Sequence, residues 1–165
     1  MNRKHKHTRV LIGLGSNLGD RKEYIKRALG SLAAHAEIEV VRCSSLLETE
    51  PWGVADQPRF INAVAELLTT LGPRALLDHL KKIEAYLGRK HRDLRWGPRE
   101  IDLDILFFGD LCLNEADLTI PHERIPERPF VIRQILELDE DAVHPGLGIP
   151  LRRLADQAAY PAKKP

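Results

Sequence analysis

The apolar and polar positions along the chain predict an alternation of strands and helices. A short apolar run at Arg9–Leu14 ends in a glycine-rich turn, which is typical of a buried strand. Asp20 can cap a helix that runs to about Ala36, because apolar side chains then recur on one face. A second helix begins at Pro73 and is closed by Gly88, with leucines at helical spacing between them.

Three longer segments indicate further strands. Ile38–Glu48 starts with β-branched residues, and a proline- and glycine-containing loop at Thr49–Pro58 follows it. The pattern of Phe60–Leu68 fits a helix or a strand, and the preceding loop favours a strand that pairs with Ile38–Glu48. Ile101–Phe108 is a third strand. Two shorter elements are expected after it, an edge strand at Leu118–Ile120 and a helix at Pro129–Leu138.

This order of elements predicts an α+β fold with a ferredoxin-like βαββαβ core. We expect an antiparallel sheet, extra short strands and C-terminal helices. The length of 165 residues favours one domain, 1–165, with flexible tails at 1–8 and 158–165. A fold of this kind does not assign a function by itself.

Composition and charge narrow the class of protein. The net charge of +1 excludes a global polyelectrolyte, so an anionic ligand needs a local cluster of cations. No signal-peptide core or membrane-length apolar run is present, which predicts a cytoplasmic protein without a membrane partner. Cys43 and Cys112 have no metal or redox spacing, and we expect reduced, buried thiols. The sequence shows no long apolar patch that would argue against a monomer.

Two aspartates give the clearest chemical signal. Asp102 and Asp104 stand two apart in a predicted strand, so both side chains face the same way while Ile101, Leu103 and Ile105 face the core. Adjacent carboxylates repel each other unless a cation or several donors lie between them. Oxygen ligands of this type suit Mg²⁺ that takes its other ligands from water and phosphates. The alternative to a magnesium site is that Asp102 and Asp104 are ordinary acidic residues on a solvated strand face.

A dense basic segment lies directly upstream, at Arg89–Arg99. Arginine forks contact two phosphate oxygens at once, so this layout favours a magnesium polyphosphate ligand. The segment also holds Trp96 between two arginines, which is unusual for a solvated charge run. We expect this loop and the loop at Pro51–Pro58 to be mobile in the free protein, because the cations of the basic segment repel one another, and a phosphate ligand should draw the basic segment in.

The glycine-rich turn from Gly13 to Gly19 resembles a phosphate-binding loop only loosely. It lacks the Lys-Ser/Thr of a Walker motif, so a structural turn is the favoured interpretation.

These motifs together resemble the family of 6-hydroxymethyl-7,8-dihydropterin pyrophosphokinases of folate biosynthesis. The matching residues run in the same order over roughly residues 9–155: Gly15-Ser16-Asn17-Leu18, Asp56-Gln57-Pro58 with Asn62, Gly88-Arg89, Arg95-Trp96-Gly97-Pro98-Arg99, Asp102-Leu103-Asp104-Ile105, Pro121-His122, Arg128 and Phe130. The segment from Arg95 through Asp104 is highly specific, whereas the Gly-Ser-Asn turn alone is weak.

The resemblance implies transfer of a diphosphoryl group from ATP to the pterin hydroxymethyl oxygen, with release of AMP and two Mg²⁺ ions as cofactors. It implies catalytic roles for Arg89, Arg99, Asp102 and Asp104, of which the two aspartates are metal ligands. The implied ATP-binding residues are Lys81, Glu84, His91, Arg95, Trp96, Ile105, Thr119, His122 and Arg128. The implied pterin-binding residues are Thr49, Glu50, Trp52, Phe60, Asn62, Trp96 and Phe130.

Three positions depart from the family's usual pattern. Phe60 stands where a tyrosine is common, so stacking is kept and a hydroxyl contact is lost. His91 replaces a common arginine, so a permanent positive charge is exchanged for one that depends on pH. Glu123 stands where an aromatic residue can lie near the nucleotide.

Two other classes remain open. An RNA-binding domain of the same fold displays strand aromatics, and the strand Val10–Leu14 has none. A regulatory module that binds a nucleotide without chemistry needs neither two adjacent aspartates nor a second, pterin-sized pocket. Titration with an ATP analogue, with and without the pterin, separates these possibilities.

Overall fold

The computed structural model of the protein describes residues 6–51, 56–88 and 98–159. Its elements are, in chain order, β1 (Thr8–Ser16), α1 (Arg21–Ala33), β2 (Ile38–Cys43), β3 (Leu47–Thr49), β4 (Phe60–Thr69), α2 (Pro73–Leu87), β5 (Asp102–Phe108), β6 (Leu113–Glu115), β7 (Leu118–Ile120), α3 (Pro129–Leu138), β8 (Val143–His144), β9 (Ile149–Pro150) and α4 (Leu151–Ala159). A short 3-10 helix at Ile125–Glu127 precedes α3.

The main sheet is antiparallel with the order β2-β4-β1-β5, and β3 pairs with the start of β4. The two β–α–β units therefore interleave, with β4 and β1 in the centre. This is the predicted ferredoxin-like arrangement. Two small hairpins, β6–β7 and β8–β9, add the expected short strands.

Apolar side chains cover both faces of the sheet. On one face, Ile12 packs with Ile25 of α1 and Leu80 of α2 in the larger core. On the other face, Leu11 packs with Ile132 of α3 in a second core that α4 completes. Because successive strand residues point to opposite faces, β1 supplies side chains to both cores. The central strands are consequently held from two sides.

The predicted helix boundaries are confirmed where capping chemistry is strong. Asp20 accepts a hydrogen bond from the Glu23 backbone N–H at the start of α1. Pro73 is the first residue of α2, and Gly88 ends it with a φ of 122°. Helix α1 ends at Ala33, earlier than predicted, and a following turn leads the chain into β2.

Two strand predictions differ from the structure. Ile38–Glu48 is two strands rather than one, because Ser45 leaves the sheet to bond Glu137 of α3. The expected turn at Gly13–Gly15 is wrong, since β1 continues to Ser16 in the centre of the sheet. Pairing with β4 and β5 on both sides keeps these glycines extended.

The expectation of buried thiols is wrong for Cys112, which is exposed in the turn after β5, while Cys43 is half-buried. The predicted tails are tested only at their inner ends, because 1–5 and 160–165 lie outside the described residues. Strand β1 begins at Thr8, and α4 reaches Ala159, so residues 8 and 158–159 belong to regular elements. Among the helices that the structure describes, none is both long and apolar enough to span a membrane.

Candidate active site

Strand β5 presents the two aspartates on one face, as predicted. Asp102 and Asp104 are half-buried, whereas the alternating Leu103 and Ile105 are buried in the core. In the register between strands, Gly15 of β1 lies beside Asp102 and Gly13 lies beside Asp104. At these two positions β1 therefore contributes no side chain beside the carboxylates.

The glycines of β1 also leave room for side chains from β4. A Cβ atom at Gly15 would lie 3.0 Å from Oδ1 of Asn62 and 3.6 Å from a ring carbon of Phe60. Such a contact is tighter than ordinary packing, so a side chain at this position would displace Asn62. The glycine-rich segment therefore shapes the floor of a cavity rather than forming a loop around a phosphate.

The charge state of the carboxylates is set by their crowding. Burial raises the pKa of Asp104 to about 7, and the neighbouring Asp102 carboxylate adds to this rise. Glu84 acts in the same direction, while Arg128 and Lys81 oppose it. Asp102 accepts a hydrogen bond of 3.0 Å from Nη1 of Arg99. Asp102 is therefore paired with Arg99. A cation bound beside Asp104 would favour its ionised form and lower its raised pKa.

An aromatic cavity opens on one side of this carboxylate pair. Asp102, Asp104, Arg99 and Arg128 form its charged wall. The predicted pterin-binding residues Thr49, Glu50, Phe60, Asn62 and Phe130 all line it. Phe60 and Phe130 are half-buried rather than core residues. Trp52 and Trp96 lie outside the described residues.

A polar residue on β4 is fixed at the wall of the aromatic cavity. Nδ2 of Asn62 donates a hydrogen bond of 2.5 Å to Oγ1 of Thr49. Because the amide nitrogen makes this bond, the amide oxygen of Asn62 faces Gly15 on β1. This orientation gives the cavity one defined hydrogen-bond acceptor.

A polar cleft opens on the other side of Asp104. Asp104 also lines this cleft, together with Ile105 of the same strand. Lys81 of α2, Thr119 of β7 and His122 contribute its remaining predicted nucleotide contacts. The two openings therefore meet at one carboxylate. Four of the predicted ATP-binding residues lie in this cleft, and Arg128 lines the aromatic cavity instead.

Glu84, which the resemblance implies as an ATP-binding residue, lies buried beside β5. It is 2% exposed, and its Oε1 accepts a hydrogen bond of 2.8 Å from the Leu103 backbone N–H. Its other oxygen lies 3.4 Å from Nζ of Lys81. Glu84 is not among the described residues that line either opening. It supports β5 between the two aspartates and orients Lys81.

The imidazole of His122 is neutral in this environment. Burial lowers the pKa of His122 to about 4, and the nearby Arg128 guanidinium adds to this effect. Nδ1 of His122 accepts a hydrogen bond of 3.2 Å from the Arg124 backbone N–H. The proton of the neutral ring is therefore on Nε2. His122 can donate a hydrogen bond to an anion without carrying a charge.

Asn17 connects three segments around the site. Its backbone N–H donates to the Arg99 carbonyl at 3.0 Å, and its Oδ1 accepts from the Arg99 backbone N–H at 2.7 Å. Its Nδ2 donates to Oε1 of Gln57 and to the Pro58 carbonyl. Asn17 is 1% exposed, so these bonds are shielded from water. The residue holds the base of the predicted basic loop against the segment that leads into β4.

The remaining predicted residues cannot be placed. Arg89, His91, Arg95 and Trp96 lie outside the described residues, like most of the basic loop. Two contributors were missed by sequence reasoning, namely the network around Asn17 and the presence of Gln134 in the aromatic cavity. The signal for Gln134 was a lone polar residue on the apolar face of a helix.

The model of the 7,8-dihydro-6-hydroxymethylpterin-pyrophosphokinase (HPPK) family matches residues 11–140. The chain belongs to the HPPK family. A 2-amino-4-hydroxy-6-hydroxymethyldihydropteridine pyrophosphokinase of Aquifex aeolicus is 41% identical over 87% of this chain and 88% of its own length. The enzyme of the same name from Pseudomonas aeruginosa is 47% identical over 81% of this chain and 82% of its own length.

Some relatives are longer than this chain, which matches only part of their length. The folate synthesis bifunctional protein of Arabidopsis thaliana is 50% identical over 78% of this chain, which spans only 26% of that relative. A crystal structure of Plasmodium falciparum HPPK-DHPS superposes with a TM-score of 0.72 at 15% identity. It covers 94% of this chain and 46% of the Plasmodium chain, and it supports the HPPK fold.

Proposed function

We propose that the protein transfers diphosphate from ATP to the hydroxymethyl group of 6-hydroxymethyl-7,8-dihydropterin, giving AMP and the pterin diphosphate for folate biosynthesis. The observation that carries this proposal is the meeting of the aromatic cavity and the polar cleft at Asp104. Two substrates held in these openings have their reacting groups next to the carboxylate pair. Such positioning supplies much of the catalysis in phosphoryl transfer.

The aromatic cavity has the chemistry that a pterin requires. A flat heterocycle binds between aromatic faces and is oriented by a few polar groups. In this proposal Phe60 and Phe130 stack on the ring, and Asn62 reads its amide edge with support from Thr49. Glu50 lies at the same wall and can pair with a ring donor.

Asp102 and Asp104 fit a Mg²⁺ site. They offer hard oxygen ligands on one strand face, and the pKa of Asp104 is raised by its burial and by the neighbouring Asp102 carboxylate. Two aspartates alone do not complete a metal site, which suits ions that take further ligands from ATP phosphates and water. We therefore propose two Mg²⁺ ions bound with ATP. Bound Mg²⁺ would neutralise phosphate charge and make a coordinated hydroxyl more acidic.

Cationic and polar groups around the carboxylates would orient the phosphates. Arg99 is held at its backbone by Asn17 and reaches Asp102, so its guanidinium stays beside the transfer point. Lys81 and His122 lie in the polar cleft, where they can bind phosphate oxygens as a cation and a neutral donor. Preorganised donors of this kind stabilise the charge of the transition state without reorganising. We propose that Arg89 and Arg95 complete this set.

The test is an analysis of the nucleotides formed from ATP with and without the pterin. The proposal expects AMP, in amounts equal to the pterin diphosphate and only when both substrates are present. Formation of ADP, or of AMP without the pterin, contradicts it. As a further part of the proposal, the protein acts on small molecules as a cytoplasmic monomer, without nucleic acid or membrane. Light scattering during gel filtration measures the oligomeric state.

A further inference from the structure

Gln134 is a buried polar residue on the helix that closes the aromatic cavity. It lies on α3, one turn after Phe130, and it is 1% exposed. Both residues line the cavity. Its neighbours Val131, Ile132 and Ile135 are apolar core residues. A buried amide on such a face needs hydrogen-bond partners, so its contacts show what it does.

The amide nitrogen of Gln134 connects β4 with the segment that precedes β3. Nε2 donates to the Asn62 carbonyl of β4 at 2.8 Å and to the Ser45 carbonyl before β3 at 3.1 Å. Since both partners are carbonyl oxygens, the amide cannot be turned over. Its Oε1 atom is buried and has no hydrogen-bond partner within the described ranges. A ligand or water in the cavity can supply the missing donor.

A second side chain of α3 strengthens the same connection. Glu137 accepts hydrogen bonds from the Ser45 backbone N–H at 2.8 Å and from the Ser45 hydroxyl at 2.7 Å. Glu137 lies three positions after Gln134, so both point to the same side of the helix. Together they fix the segment before β3 relative to α3. Thr49 lies in β3, and Phe130 lies on α3.

We propose that Gln134 is a positioning residue for the pterin, and this inference rests on the proposed function. It fixes the separation between α3 and the β3–β4 pair, and hence the spacing of Phe130 from Phe60. It also holds the backbone of Asn62, whose side chain is bonded to Thr49. Without it, the Asn62 and Ser45 carbonyls lose the shared donor that ties them to α3, and the wall that reads the pterin is held less firmly.

The experiment replaces Gln134 with methionine, which has a similar length and no donor. Hydrogen exchange measured on the free protein should become faster in peptides covering residues 44–50 and 60–64. Steady-state kinetics should show a rise in KM for the pterin of roughly tenfold, corresponding to about 1.4 kcal/mol. The KM for ATP and kcat should each change by less than about twofold, because the polar cleft does not contact Gln134.

A matched control distinguishes positioning from general loss of stability. Ile25→Val and Leu32→Ala each weaken the core on the opposite face of the sheet. Of these two, the variant whose melting temperature is closer to that of Gln134→Met serves as the control. The control should leave the KM for the pterin unchanged. Equal effects of Gln134→Met and the control on both KM values overturn the inference, as does unchanged exchange at residues 44–50. If the unaltered protein forms no AMP, the proposed function fails, and the exchange measurement still decides whether Gln134 holds these strands.

Discussion

At the scale of single residues, Asp104 is the group that lines both the aromatic cavity and the polar cleft. Its carboxyl has a pKa of about 7 because it is buried beside Asp102. Between about pH 4 and pH 7 the folded protein therefore binds a proton that the unfolded chain has released. By linkage, the contribution of Asp104 to the free energy of unfolding must fall as the pH rises through this window.

Asp104→Asn should remove this pH-dependent loss, because an amide cannot ionise. We expect the variant to be more stable than the unaltered protein at pH 8 by about 1–3 kcal/mol, which allows for solvent screening of a half-buried group. The two proteins should be much closer at pH 4. Urea unfolding at both pH values measures the difference, and parallel pH dependences would show that Asp104 is not the titrating group.

The same carboxylates should be required for turnover. Asp102→Ala and Asp104→Ala should each abolish AMP formation while circular dichroism shows a folded protein, because Mg²⁺ would lose a ligand. Asp110→Ala is the matched control, since Asp110 is exposed in the turn at the far end of β5 and should be dispensable. Near-normal activity of either site variant in Mg²⁺ would refute the metal assignment.

His122 provides an independent test of the electrostatics. Its pKa is lowered to about 4, so the folded state gives up a proton that the unfolded chain still holds up to about pH 6.5. The contribution of His122 to stability should therefore decline as the pH falls from about 6.5 towards 4, opposite in direction to the contribution of Asp104. An NMR titration of the His122 ring should give an apparent pKa near 4 in the free protein. Phosphate binding should raise it, and an unperturbed value near 6.5 would rule out the buried, neutral imidazole.

The sequence predicted part of the arrangement of the side chains in the site. The spacing of Asp102 and Asp104 sufficed to place both carboxylates on one face, because side-chain direction in a strand follows from periodicity alone. The pairing of Gly13 and Gly15 with these aspartates was not predicted. It depends on the register between β1 and β5, which tertiary packing decides.

At the scale of elements, local sequence signals predicted the helix boundaries. The caps at Asp20 and Gly88 and the proline at the start of α3 fixed helix boundaries that the structure confirms. The break between β2 and β3 was not predictable, since Ser45 is drawn out of the sheet by side chains from α3, about 90 residues later. Most of the basic loop, whose arginines predicted a phosphate ligand, lies outside the described residues.

Asn17 shows how one side chain joins separate segments, and its removal tests that role. Asn17→Ala deletes the acceptor for the Arg99 backbone N–H and the donor to Gln57 and Pro58. We expect a loss of about 1–3 kcal/mol in the free energy of unfolding, because a buried N–H is left unpaired. The value of kcat should also fall, since Arg99 is no longer held. Asp20→Ala is the control: it weakens the α1 cap, so it should reduce stability without lowering kcat.

At the scale of the whole molecule, the fold explains why two openings share a wall. Helices α1 and α2 pack on one face of the sheet and α3 and α4 on the other. The carboxylate face of β5 emerges between α2 and α3, so the polar cleft forms towards α2 and the aromatic cavity towards α3. The order of elements predicted the sheet, but the position of α3 required long-range packing.

Sharing Asp104 should couple the two ligands. A nucleotide bound with Mg²⁺ offsets the repulsion between the aspartates and should prepare the aromatic cavity for the pterin. We expect the pterin to bind more tightly in the presence of a non-hydrolysable ATP analogue and Mg²⁺, by about 1–3 kcal/mol. Calorimetric titrations with and without the analogue measure this coupling. Equal affinities would mean that the two openings act independently.

The most direct test of the account is a crystal structure of the protein with a non-hydrolysable ATP analogue, Mg²⁺ and the pterin. The account predicts the pterin ring between Phe60 and Phe130, with its hydroxymethyl group directed towards Asp104. The phosphates should lie in the polar cleft, with Mg²⁺ bound by Asp102 and Asp104. A pterin bound outside the aromatic cavity, or phosphates remote from both aspartates, would contradict the assignment of these openings to the two substrates.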